Sequence, residues 1–232
     1  MVHSFPTRRS SDLYFIAART DPEAKGSRAI TMFIVEKGTP GFKVGRALDK
    51  TGWRSSDTAE LIFEDCRVPV ENVLGEPNRG FYSIMANFQT ERLVIGAMAM
   101  AEAREALRLT FEHVNARTVF GKPLWDKQAI RQRLSHRLAE VEAARQLVHH
   151  TAWLDAQGTD CVAQVSMVKA LAGDLVNQVL YDCVQFHGGM GFVRETAVER
   201  MARDARVQSI GGGASEVMLE EVAKRFGAAL AD

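Results

Sequence analysis

The sequence predicts an α+β chain: a small antiparallel β portion, of the kind that forms part of a barrel, followed by an antiparallel α-helical bundle. Three observations predict it. All six prolines lie at or before Pro123, so residues 124–232 hold none. Ahead of about Gly80, short β-rich runs alternate with Gly/Pro turns, the pattern of antiparallel strands. Beyond it, apolar residues recur at three, four or seven positions, the period of helices that bury one face.

The elements follow in order. YFIAART is a first β-rich run, and DPEAKGS behind it is a turn cluster. AITMFIVE is a second run, closed by KGTPG, and FKVGRAL a third. TAELIFEDCRVP alternates, with Ala59, Leu61 and Phe63 on one face and Glu60, Ile62 and Glu64 on the other. A helix is expected over roughly 81–116. The next carries Ile130, Leu134, Leu138, Val141, Val148 and Ala152 on one face, with Trp125-Asp126 near its start and Gly158 near its end. A third runs from about Cys161 to Phe186, and shorter ones cover 194–203 and 215–226. Long helices joined by short turns pack as a bundle.

At 232 residues the chain is long enough to bury a sizeable core. Hydrophobic residues at 46% and charged residues at 25% are ordinary for a globular protein. Basic and acidic side chains balance at 29 each, which gives no reason to expect a nucleic-acid or membrane-surface partner. No apolar run has the length of a membrane helix. Cys66, Cys161 and Cys183 are far apart, which suggests buried, reduced thiols in a reducing compartment, the cytoplasm if the source is bacterial. No metal-ligand spacing stands out. His149 and His150 are adjacent, so they point to different sides of a helix.

Four short motifs are candidates for chemistry. In RTVFGKP, Arg117 can grip a phosphate with two N–H groups and Gly121 permits close approach of the backbone. The plain alternative is a cationic helix end and a turn. In QFHGGMGF, the glycines end a helix and expose backbone N–H groups to an anion or a ring edge, or merely break the helix. It follows no strand and is not GxGxxG, so it is not a Rossmann fingerprint. In SIGGGASEVM, Ser215 is placed to cap the next helix with Glu216 in its first turn. In FQTERLVIG, Glu91 lies in an otherwise apolar helix, where a carboxylate serves as a base of raised pKa or simply faces solvent.

Each motif is weak alone, but their order and spacing are specific. FEDCRVPVENVLGEPNRGF, FQTERLVIGAMAM, RTVFGKPLWDKQAI, YDCVQFHGGMGF, ARDARVQSI and GGGASEV resemble, in that succession, the acyl-CoA dehydrogenase family. The resemblance runs from about residue 14 to the C-terminus. It implies FAD-dependent oxidation of an acyl-CoA thioester to the trans-2-enoyl-CoA, with reoxidation by an electron-transfer flavoprotein and assembly as a homotetramer. By motif matching, Arg117, Thr118 and Phe120 would meet the FAD pyrophosphate side and Gln128 the adenosine side. Gln185, Gly188 and Gly189 would contact FAD too, often that of a neighbouring subunit.

The base departs from the common pattern. Many members carry the catalytic Glu in an IYEGT-like segment; here the matching segment is IGGGA and the position is Gly212, which cannot take a proton. Long-chain and isovaleryl types place the Glu in an ERL motif on the first bundle helix. Glu91 matches that placement. Two other readings keep the fold: an acyl-CoA oxidase or other oxygen-using flavoenzyme, and a non-catalytic member of the family.

The opening HSFPTRRSSDL has the Ser/Arg-rich composition of a transit peptide. Yet the resemblance puts it in front of the middle of a β domain, where a transit peptide has no place. It resembles instead the translation product of a sequencing-library adapter. Residues 1–13 are therefore expected to be artefactual and unfolded, 14–78 to be part of the family's middle β domain, and 79–232 its C-terminal bundle domain. The family's N-terminal helical domain and the flavin-contacting front of the β domain have no counterpart here. The polypeptide alone is thus expected to be inactive and to hold FAD below stoichiometry.

Overall fold

Strands and helices change over where the hydrophobic period changes. The computed structural model describes residues 11–230, so residues 1–10 of the expected leader lie outside the described residues. The chain divides into two compact units, with the boundary between Phe88 and Gln89.

The first unit holds five strands. β1 (Leu13–Arg19) and β2 (Ile30–Glu36) pair antiparallel in one register, from Leu13 opposite Glu36 to Arg19 opposite Ile30. β3 (Phe42–Ala47) pairs with β4 (Ala59–Phe63), Phe42 lying opposite Phe63. The alternation read in β4 is realised: Ala59 is buried, Leu61 and Phe63 are half-buried, and Glu60 and Ile62 face out. Tyr14, Ile16, Val35 and Phe42 form the small core, with the Tyr14 ring edge-on to Phe42 at 4.9 Å. Two details differ from the sequence reading. Leu13, expected in an unfolded leader, opens β1, and the Lys37 N–H donates to the Asp12 carbonyl at 2.8 Å. A ladder is made of backbone groups, which any residue supplies. The two-residue strand β5 (Val73–Leu74), on the free side of β2, is too short to leave a pattern.

The second unit is helical. α1 (Gly80–Ala116) begins in the first unit and continues through it, at 37 residues about 55 Å long. A two-residue hairpin of β6 (Thr118–Val119) and β7 (Lys122–Pro123) leads to α2 (Gln128–Ala156). α3 (Val162–His187) follows, then α4 (Ala197–Ala205) and α5 (Ser215–Lys224). Leu93, Met100, Leu107 and Val114 of α1 recur every seven residues in the core, as do Leu134, Val141 and Val148 of α2. That is the seam of helices packed nearly antiparallel. α3 is apolar almost all round, and Val168, Val176, Val179, Leu180 and Cys183 are each at most 1% exposed. It is the central helix, so burial favours nearly every side it presents. On α2, the helical spacing puts Leu138 and Ala152 on the core face, yet both are exposed. Leu138 lines a surface groove with Phe111 and Trp125, because the seam is filled by the seven-residue column and by Ala144 and Thr151. One ion pair crosses the interior: Arg137 Nε donates to Asp182 Oδ2 at 2.7 Å, and both side chains are nearly buried. Cys161 and Cys183 are buried and Cys66 half-buried, and burial pushes the Cys183 thiol up to about 11, which leaves it inert.

Candidate functional site

Two groups of side chains stand out, and α1 carries part of both. The first lies where α1 and α3 end. α1 stops at Ala116, and the chain reverses in a two-residue turn, Phe120 at φ 52° and Gly121 at φ 74°. Two successive left-handed residues make the turn that suits the twist of a hairpin, and Phe120 is an uncommon residue to hold one. Its ring is 94% exposed, with Lys127 Nζ 5.5 Å above it. Gln128, the first residue of α2, is exposed just beyond.

α3 stops at His187, where Gly188 takes φ 59° and starts a 3-10 turn over Gly188–Phe192. The His187 and His113 rings stack with centroids 4.3 Å apart, which joins the end of α3 to the last turn of α1. His187 Nδ1 is 2.9 Å from the Cys183 carbonyl. His113 is held below its ordinary pKa by burial, and further by the His187 ring and the Arg117 guanidinium. Arg117 itself is exposed and forms no ion pair among the described residues. Gln185, Gly188 and Gly189 are exposed, and a side chain on either glycine would meet nothing within 4 Å. The RTVFGKP and QFHGG motifs are thus brought together around open space and unneutralised cationic groups. That chemistry fits a pyrophosphate: a guanidinium to grip it and a ring to cover an apolar edge.

The second group surrounds Glu91, which is half-buried on α1. Arg92 Nε donates to the Gly212 carbonyl at 2.8 Å. Gly212 itself is buried at φ 72°, and a Cβ there would come within 2.7 Å of Ile95 Cδ1, one turn along α1 from Glu91. The Gly211–Gly213 loop therefore lies on the α1 turn that bears the carboxylate. Burial lowers the pKa of Arg92, partly offset by the Glu221 and Glu91 carboxylates. Ser215 differs from expectation. It opens α5 rather than capping it, and its hydroxyl donates to Asp174 Oδ1 at 2.7 Å, fastening the far end of the loop to α3. Glu216 does lie in the first turn.

The two groups are not one site within a single chain. Glu91 and Arg117 are separated along α1 by about 39 Å of helix, farther than an extended dinucleotide spans.

One residue at the second group was missed. Lys169 of α3 is fully buried, and its Nζ donates to the Gly213 carbonyl. The signal was legible: Val165, Ser166, Ala172, Gly173 and Val176, its neighbours at helical spacing, are all small and mostly apolar. A lysine there has no polar face of its own to lie on.

Residues 78–227 match the family model described as acyl-CoA dehydrogenase, C-terminal domain, and residues 7–66 match its middle domain. An acyl-CoA dehydrogenase of Bacillus subtilis is 39% identical over 208 residues, covering 90% of this chain and 55% of the relative. The chain therefore spans about half the length of the curated relatives it matches. The crystal structure of an acyl-CoA dehydrogenase from Geobacillus kaustophilus superposes with a TM-score of 0.92 at 37% identity, covering 94% of this chain and 58% of that one. The FAD complex of PigA gives 0.89 at 26%, over 94% and 57%.

Proposed function

The chain belongs to the acyl-CoA dehydrogenase family, and on that premise we propose that it forms the base-bearing part of an enzyme that dehydrogenates an acyl-CoA thioester to the trans-2-enoyl-CoA. Glu91 is the base. The observation that carries this reading is the seating of Gly212 on the Glu91 turn of α1, with Ile95 in the space that a side chain at 212 would need. The loop has neither the group nor the room for a carboxylate, and the helix surface beside it has Glu91.

FAD is the cofactor, a reading supported by the donor set at the ends of α1 and α3 and by the FAD complex of PigA. Arg117, Thr118 and Phe120 would hold its pyrophosphate side, Gln128 its adenosine side, and Gln185, Gly188 and Gly189 further contacts. Bound there, FAD supplies the acceptor for the hydride that leaves the β-carbon. Glu91 takes the proton from the α-carbon, so that the C–H electron pair is free to form the double bond. Because Glu91 and Arg117 are too far apart to serve one flavin, each flavin draws on two copies of the chain, and a homotetramer meets that need. The apolar trough of about 710 Å³ on α2, α3 and α5, lined by Leu147, Met167, Leu171, Leu175 and Leu219, supports such assembly. The electron acceptor is an electron-transfer flavoprotein.

The test uses the full-length flavoprotein. Glu91→Gln should slow anaerobic bleaching of the flavin by acyl-CoA by roughly 100- to 10,000-fold, the worth of a positioned general base, with FAD content unchanged. Bleaching at the normal rate would overturn the assignment.

A further inference from the structure

Lys169 is the one lysine buried among the described residues, at 0% exposure, and it lies two turns into the central helix. Its Nζ donates to the carbonyl of Gly213. Arg92 Nε donates to the carbonyl of the preceding residue, Gly212, at 2.8 Å. Two cations, one from α1 and one from α3, therefore grip consecutive peptide groups of a three-glycine loop. Burial lowers the pKa of Lys169, Asp174 and Glu216 push it back up, and the Arg92 charge lowers it further, so the two cations act on each other.

Stability alone does not ask for this arrangement. Burying an ammonium costs free energy, and a methionine of similar length would fill the same volume without that cost. The glycines cannot fix themselves either. Gly212 at φ 72° and Gly213 at φ 114° hold conformations that only glycine adopts readily, and glycine has the most backbone freedom to lose on ordering. Among side chains, Met218 packs at Gly213, with Cε 2.7 Å from where a Cβ would be, and Ile95 packs at Gly212. Those contacts limit how close the loop comes to its neighbours but do not orient its peptides. The charge-assisted bonds do, because they are directional and about twice as strong as neutral ones.

We propose that Lys169 is a positioning residue, which with Arg92 locks the Gly212–Gly213 backbone against the α1 turn carrying Glu91 and so sets where an acyl thioester lies relative to its base. The inference rests on the reading of Glu91 as that base. Its mechanical half, the locking of the loop, stands on the hydrogen bonds and burial alone.

The experiment compares Lys169→Met, Lys169→Arg and Val176→Ala in the full-length flavoprotein. Val176 is a fully buried core residue of the same helix, two turns beyond Lys169, so its truncation measures general loosening of α3. Three quantities are read: flavin per protomer by absorbance, the anaerobic rate of flavin reduction at saturating acyl-CoA, and amide hydrogen exchange over residues 209–214. Lys169→Met should keep its flavin, exchange faster in that loop, and reduce flavin roughly 10- to 100-fold more slowly, as expected when a reacting group is misplaced by about an ångström. Lys169→Arg, which keeps a cationic donor, should recover part of the rate. Val176→Ala should change neither the rate nor the loop. If Lys169→Met yields no folded protein, Lys169→Gln, which is shorter and carries no charge, takes its place with the same expectations. A normal rate, an unchanged loop in the Lys169 variants, or an equal loss in Val176→Ala overturns the proposal. Should the unsubstituted protein fail to reduce its flavin with any acyl-CoA, the functional reading falls, and loop exchange alone decides whether Lys169 locks the backbone.

Discussion

Gly173→Ala should destabilise the chain, although alanine is the better helix former. On α3, a Cβ at Gly173 would lie 2.6 Å from the Gln208 carbonyl oxygen and 3.0 Å from the carbonyl carbon of Gln208 and Cα of Ser209. Carbon–oxygen contacts settle at about 3.3 Å or more, so the helix and the turn must part by roughly 0.7 Å. All three atoms belong to backbone, and no rotamer change clears the way. Alanine gains about 1 kcal/mol in helix propensity. Overpacking costs about 1–3 kcal/mol. Gln208 is 3% exposed and donates to the Glu102 carboxylate, so pushing its turn outward weakens a buried hydrogen bond, about 1–3 kcal/mol more. The net is a loss of roughly 1–5 kcal/mol, centred on about 3 kcal/mol. At a urea slope of about 2 kcal/mol per molar, the helix-reporting circular dichroism midpoint should fall by about 1.5 M. A contrast sharpens the test. A Cβ at Gly96 would meet Val168 Cγ1 at 2.3 Å, a side-chain clash, so Val168→Ala should partly rescue Gly96→Ala. An unchanged or raised midpoint for Gly173→Ala would refute the reasoning, since propensity would then have outweighed the clash.

Two further outcomes follow from polar groups in the bundle. Burial raises the Glu102 carboxyl above its ordinary 4.5, more than the Gln208 hydrogen bond lowers it; Asp204 adds to the rise and Arg200 opposes it. The folded chain therefore binds more protons than the unfolded chain between 4.5 and the raised value, and stability contributed at Glu102 falls as pH rises through that window. Glu102→Gln removes the titration, so its urea midpoint should gain on the parent as pH rises above 4.5; parallel curves would count against it. Asp182→Ala strands Arg137, whose side chain is 11% exposed, and should cost about 3 kcal/mol in the same assay. That is the low end for a broken buried pair, because Glu140 and Gln178 still accept from Arg137 at 2.8 and 2.9 Å. A cost near zero would mean the pair is not formed.

What the sequence disclosed and what it hid follow from the range of the forces involved. The alternation in β4, Leu134, Val141 and Val148 of the α2 stripe and the glycine that ends α3 belong to local patterns, and burial or φ angle matches them. Leu138 and Ala152 went astray because helical spacing marks an apolar stripe without saying how wide the partner's surface is. β5 exists only because β2 offers it an edge. At the candidate site, Glu91 and the glycine motifs were found as short strings. The grip of Lys169 on Gly213 was not, since it joins residues 44 apart through a backbone carbonyl, which no side-chain pattern records.

The glycine loop also has a history within each folding event. Its ties reach from Gly212 to Arg92 across 120 positions, from Gly213 to Lys169 across 44, and from Gln208 to Glu102 across 106. The loop itself has almost no apolar surface to draw it in early, and long loops must close before these bonds form. The helical seams hold most of the buried apolar surface and are expected to come together first on that account. The loop then settles into a groove that already exists, and on heating or in mild denaturant it is among the first segments to let go. The chain can therefore lose the geometry around Glu91 while most of its helical signal remains.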